Sequence, residues 1–259
     1  MIAEKVRQGL PLEDVYIFDM HGHLGKNYQM MYLDTDAASM VKTMDRVGVD
    51  SICLSAMEAF CGDPWRGNDA VVVAIRQFPG RIYGYFSPNP SYPELDFASY
   101  FAKEPGMVGF KIHAMLNHAE IDDPRYFPCY EYAHQKGMPV LIHTWDIYEI
   151  RQVARMAERF KGCPFLIAHS GMRTYDVRLE VIDTVKRLEN VYVDTAISVC
   201  YDGAIEWIAG QIGVDRLLYG SDLPFYDCRQ VAGKLAMSNL SDPDKRKVFG
   251  ETAKKLFHI

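Results

Sequence analysis

Tyr16-Ile17-Phe18-Asp19-Met20-His21-Gly22-His23 starts as an apolar run and ends in two imidazoles one residue apart. In extended chain successive side chains point to opposite faces, so Asp19, His21 and His23 share one face. An apolar run delivering chemically capable side chains at its end recurs along the sequence. Gly109-Phe110-Lys111-Ile112-His113, Pro139-Val140-Leu141-Ile142-His143, Phe165-Leu166-Ile167-Ala168-His169 and Leu217-Leu218-Tyr219-Gly220-Ser221-Asp222 all have this form.

Working outward, eight short apolar runs read as strands: Tyr16 to Asp19, Asp50 to Ser55, Ile82 to Phe86, Met107 to Ile112, Pro139 to Ile142, Phe165 to Ala168, Val191 to Asp194 and Leu217 to Tyr219. They recur every 25 to 35 residues or so, about the length of one strand-helix unit. The segments between them carry helical periodicity; in Thr35 to Val47 the spacing puts Ala38, Val41, Met44 and Val47 on one stripe. Gly48, Gly80, Gly137, Gly162 and Gly213 stop successive helices, where a left-handed cap suits glycine. No linker or compositional break divides the chain. Eight uninterrupted units predict an α/β fold, a single (β/α)8 TIM barrel over residues 1–259, and place the chemistry at the C-terminal ends of the strands.

Composition narrows the function. Among 259 residues, 49% are hydrophobic and 24% charged, enough to build a core and against disorder. A net charge of -6, with both signs scattered, offers no broad basic surface for nucleic acid. No apolar run approaches the roughly 20 residues of a membrane span, and the start lacks a signal-peptide core, so a cytoplasmic protein is expected. The six cysteines are dispersed without a C-x-x-C pair, which suits free thiols.

Four histidines and one aspartate, His21, His23, His143, His169 and Asp222, thus meet at one rim as a nitrogen and oxygen set suited to Zn²⁺, or to Fe²⁺ or Mn²⁺. Lys111 could bridge two metals as a carbamate or stay an ammonium that orients substrate. With no second strand-end carboxylate the ammonium and a single divalent ion are favoured. His113 shares its facing. Trp65, Arg66, Trp145, Asp146 and Arg173 fall in loops after strands, where they could touch a ligand; Trp145 and Arg173 are taken as substrate-binding candidates. His134 and His258 read as surface residues, and His118 lies in a loop.

At these motifs the sequence resembles the amidohydrolase superfamily, in particular its amidohydrolase-2 branch, which includes the aminocarboxymuconate-semialdehyde decarboxylase group. The likeness extends to the closing segment from Val248 to Phe257 and so covers essentially the whole chain. It implies a distorted TIM barrel with one metal at its mouth, held by His21, His23 and His143, with Asp222 completing or flanking the set. His169 would be a further ligand or the nearby acid/base.

The expected activity is a metal-dependent hydrolase acting on a small carbonyl compound, an amide or lactone, through metal-activated water, with Asp222 or His169 moving the proton. The alternative is a nonoxidative decarboxylase of a small aromatic or unsaturated acid. The chain is shorter than typical decarboxylases of the branch, which tilts the expectation towards hydrolysis. A TatD-like deoxyribonuclease, a metal-independent lactonase and a noncatalytic metabolite-binding barrel are the rivals. The expected partner is a small-molecule substrate, with neither nucleic acid nor membrane, and a homodimer is compatible with the fold class.

Overall fold

The computed structural model describes residues 1–26, 35–171, 174–196 and 201–259. Eight parallel strands follow one another in chain order: β1 (Phe18–Leu24), β2 (Ser51–Ala56), β3 (Ile82–Phe86), β4 (Met107–Ile112), β5 (Val140–Ile142), β6 (Phe165–Ile167), β7 (Val191–Asp194) and β8 (Leu217–Leu218). Backbone bonds bring the last strand back to the first. The Met20 N–H donates to the Tyr219 carbonyl at 3.0 Å, the Asp222 N–H to His21 at 2.8 Å and the His23 N–H to Leu223 at 2.7 Å. The architecture is the TIM barrel expected from the eight repeats.

β1 extends further than its apolar residues suggest. The apolar run ends at Asp19, and the strand carries on through both histidines, as their extended reading expected, to Leu24, with all seven residues buried. Its polar side chains have partners inside the protein, so burial there does not demand apolar chemistry. A register shift against β2 lies between Asp19 and Gly22, after which His23 sits opposite Ser55.

The helices pack on the outside of the sheet. In Ala37–Val47 the buried side is Ala37, Met40, Val41 and Met44, with Val47 packed against the core; of the expected stripe only Ala38 is exposed. Gly48 ends this helix at φ 85°, in the left-handed region. Gly162 does not adopt that conformation. Its N–H donates to His134 Nδ1 at 2.8 Å, and a Cβ there would lie 2.7 Å from the His134 carbonyl oxygen, so close approach is what calls for glycine. His134 is accordingly half-buried and bonded rather than a free surface residue.

Inside the barrel Phe18, Met20, Tyr85, Leu141, Leu166 and Leu218 fill the floor. Phe257, just past the helix Thr252–Leu256, closes it from below with edge contacts to Phe18 at 5.2 Å and Tyr85 at 5.9 Å between centroids. The bottom is therefore apolar and filled. Polar residues from β1, β2, β4, β7 and the turns after β5, β6 and β8 gather at the other end.

Candidate metal centre

His21 is the best defined member of the site. Its Nδ1 lies 2.6 Å from Asp194 Oδ2. A carboxylate oxygen accepts, so Nδ1 carries the hydrogen and Nε2 presents a lone pair to the centre of the mouth. Around that lone pair stand His23 Nε2 at 3.2 Å, Lys111 Nζ at 3.0 Å and Asp222 Oδ1 at 3.4 Å. His23 Nε2 is in turn 3.0 Å from Asp222 Oδ1, and its Nδ1 meets the Ser55 hydroxyl at 3.1 Å.

His21, His23 and Asp222 each offer one atom, all within 4.8 Å of one another, the arrangement of a group able to hold a metal ion. Asp222 Oδ1 is buried and, despite its nearness to both imidazoles, makes no well-directed hydrogen bond among the described residues. Donor atoms that converge while leaving lone pairs aimed at a common point suit a cation better than each other. Charge points the same way: the Lys111 ammonium is buried beside the carboxyl groups of Asp194 and Asp222, so the site gathers acidic groups around donors that can hold a cation.

Burial and neighbouring charge set the protonation. Burial first, then the Lys111 ammonium and the other imidazoles, hold His21 well below the usual imidazole range, and burial lowers His23 against the pull of Asp222. Burial also pushes Lys111 down to about 8 and raises Asp19 to about 7. For Asp222 burial acts upward, yet contact with His23, the nearby His169 imidazole and the Lys111 ammonium leave it below the ordinary carboxylate value. It is an ionised acceptor.

Beside this group lies a second histidine pair. His143 Nδ1 and His169 Nε2 are 3.1 Å apart. His143 Nε2 and His169 Nδ1 are buried without hydrogen-bond partners among the described residues. Thus three of the five expected ligands converge tightly, while His143 and His169 stand alongside, the His169 ring 5.1 Å from that of His21. His169 and Asp222 both adopt positive φ, 63° and 64°, the sparsely populated backbone that tends to collect at functional sites. Burial brings the His169 imidazole down to about 4, so it is neutral.

Aromatic faces line the flanks. Phe225 stacks on His23 at 5.0 Å and 27°, and Trp145 lies over His169 at 5.2 Å and 10°. Lys111 and His113 are buried at the end of β4, as expected. Trp65 and Arg66 are not loop residues: they open the helix Pro64–Gln77, capped by the Asp63 carboxylate, and Arg66 pairs with Glu58. Asp146 is likewise absorbed by structure, as the N-cap of Ile147–Arg159 in a reciprocal capping box with Glu149. Arg173 and Cys200 lie outside the described residues.

The sequence reading passed over Asp194, Ser55 and Ser221. Asp194 closes β7 and also accepts the His169 N–H on Oδ1 at 2.7 Å. Ser221 donates its backbone N–H to Asp19 Oδ1 at 2.9 Å, and its hydroxyl meets Asp19 Oδ2 in a short contact. Position was the available signal for Asp194: an acid as the last residue of an apolar strand falls at the same rim as the histidines.

A parallel barrel with a buried histidine-carboxylate centre at its C-terminal mouth defines a metal-binding barrel enzyme. The family model for amidohydrolases matches residues 18–259, and the chain belongs to that family. Among solved structures it is similar to 5-carboxyvanillate decarboxylase from Novosphingobium aromaticivorans, complexed with manganese and 4-hydroxy-3-methoxy-5-nitrobenzoic acid. That match has a TM-score of 0.78 at 15% identity and covers 96% of this chain and 97% of the other. It is also similar to 2,6-dihydroxybenzoate decarboxylase complexed with 2,6-dihydroxybenzoate (TM-score 0.73, 15% identity, 94% and 98% covered). A third is dihydroxybenzoic acid decarboxylase from Polaromonas sp. JS666, with bound manganese and 2-nitroresorcinol (TM-score 0.71, 17% identity, 94% and 97% covered). These matches run over nearly the whole of both chains. No helix among the described residues is long and apolar enough to cross a membrane.

Proposed function

We propose that the protein is a metal-dependent, nonoxidative decarboxylase of a small hydroxylated aromatic acid. The observation that carries this reading is the ionised Asp222 at the His21–His23 centre with the Lys111 ammonium beside it: an acceptor for a hydroxyl proton and a cation for a carboxylate in one buried site. The full-length likeness to decarboxylases of aromatic acids supports it.

His21, His23 and Asp222 would hold one divalent ion, Mn²⁺ or Zn²⁺, with His143 beside them as a further candidate ligand. Such an ion supplies positive charge that draws electron density from substrate oxygens. Lys111 would pair with the carboxylate, while Trp145 and Phe225 offer flat faces to an aromatic ring. Asp222 would accept the proton of a ring hydroxyl and return it to the carbon that bears the carboxylate. The bond to the carboxylate then breaks, its electron pair goes back into the ring, and carbon dioxide leaves. His169, neutral and next to the centre, is placed to share that proton.

Hydrolysis of an amide or lactone is the second reading, because an ionised carboxylate beside the centre would equally serve as base. The deciding assay supplies Mn²⁺ or Zn²⁺ and compares hydroxybenzoates with amides and lactones, following carbon dioxide and products by chromatography. Release of carbon dioxide from a hydroxylated aromatic acid, abolished by chelator, is expected. Cleavage of amides or lactones alone would move the protein to the hydrolases.

A further inference from the structure

Asp194 lies behind the centre, and its two oxygens do different things. Oδ2 takes the His21 Nδ1–H at 2.6 Å, and Oδ1 takes the His169 backbone N–H at 2.7 Å. The first contact decides which imidazole nitrogen of His21 is bare. The second holds the residue whose φ is 63°, in the turn Ala168–Gly171 directly after β6. Oδ1 also takes the Ala196 N–H at 3.2 Å, which ties the carboxylate to its own strand end. Asp194 is wholly buried, as are its partners His21 and His169.

We propose that Asp194 is a positioning residue that couples the metal centre to His169: one carboxylate sets the His21 tautomer required for binding a cation through Nε2 and fixes the backbone that aims the His169 ring. The proposal rests on the metal-centre reading above but not on the reaction catalysed there. An amide cannot replace this carboxylate. In D194N the side chain would have one acceptor oxygen where His21, His169 and Ala196 each present an N–H, and whichever way the amide turned, its NH₂ would face a donor. With NH₂ toward His21, the ring must move its hydrogen to Nε2, where it blocks the cation. With NH₂ toward His169, the backbone of that turn is released.

The test reads tautomer and metal affinity in the full-length protein. Nitrogen-15 correlation spectra of the imidazoles, with His21 assigned by its loss in H21Q, should show the hydrogen on Nδ1 in the wild type. In D194N it should shift to Nε2, or the His169 amide resonance should lose its strongly hydrogen-bonded position. Competition with a chromophoric chelator should show Zn²⁺ and Mn²⁺ bound 10- to 100-fold or so more weakly by D194N, the usual cost of losing such an outer partner. A merely structural role would lower the melting temperature and leave the tautomer alone. Wild-type His21 protonated at Nε2 overturns the proposal without any variant, and so does a folded D194N with unchanged tautomer and metal affinity. Failure to find a decarboxylated product would count against the proposed reaction and leave these readouts intact.

Discussion

The imidazoles of His113 and His143 lie face to face, 3.9 Å between centroids and 14° from parallel. β4 thereby fixes the plane of a ring carried just past β5, and the bare Nε2 of His143 is held in a defined direction. Such ring pairs contribute roughly 1 kcal/mol beyond area burial. H113A should therefore weaken metal binding by about fivefold, and H113F, which keeps a flat partner, should recover most of it. Isothermal titration with Zn²⁺ measures both; equal affinities for H113A and wild type would show that the stack is incidental.

Metal content is the second expectation. Protein purified without chelator should carry about one equivalent of a divalent ion, since among the described residues one group of donors, His21, His23 and Asp222, converges. The H21A/H23A double variant should carry none. At a thousandfold excess over its dissociation constant the ion adds about 4 kcal/mol to stability, which for a chain of this size raises the melting temperature by roughly 8–16 °C. Two equivalents by elemental analysis would restore a carbamate on Lys111.

Asp222 should be indispensable to turnover and dispensable to the fold. D222N keeps the shape but loses the charge that accepts a proton, and a loss on the order of 10³-fold in kcat is expected. Metal-saturated D222N, checked by circular dichroism, gives the comparison; normal turnover would remove Asp222 from the proton path.

Phe257 predicts the opposite pattern. Buried at the barrel floor against Phe18 and Tyr85, it is far from the polar rim in function as well as in position. F257A should cost about 3–5 kcal/mol of stability. With metal saturated below the melting transition, kcat should stay within about twofold of wild type, because a bottom-face residue contributes stability rather than chemistry. Denaturant unfolding alongside steady-state assays separates the two effects.

The sequence disclosed the barrel because each strand is short, apolar and closed by a residue of another character, and because outer helices leave a periodic trace. It was least exact where polar side chains are buried in pairs. The histidines at the end of β1 were legible, but hydropathy cannot anticipate that Asp194 and Ser55 will receive His21 and His23. The pair of histidines and Asp222 were legible as a group. Asp194 was not, because a single acid at a strand end is common in turns and only closure of the barrel brings His21 of β1 and the turn after β6 to it. Asp146 misled for the converse reason: an acid in a loop after a strand was already committed to capping a helix.

The order of the residues along the chain adds one more consequence. His21 and His23 belong to the first strand, whereas Asp222 follows the last, and the backbone bonds joining those strands are the ones that close the ring. A growing polypeptide on the ribosome thus has two of these three donors early and lacks the third until its eighth strand emerges and docks. Capture of an ion by all three would tighten only on a chain whose first and last strands have met.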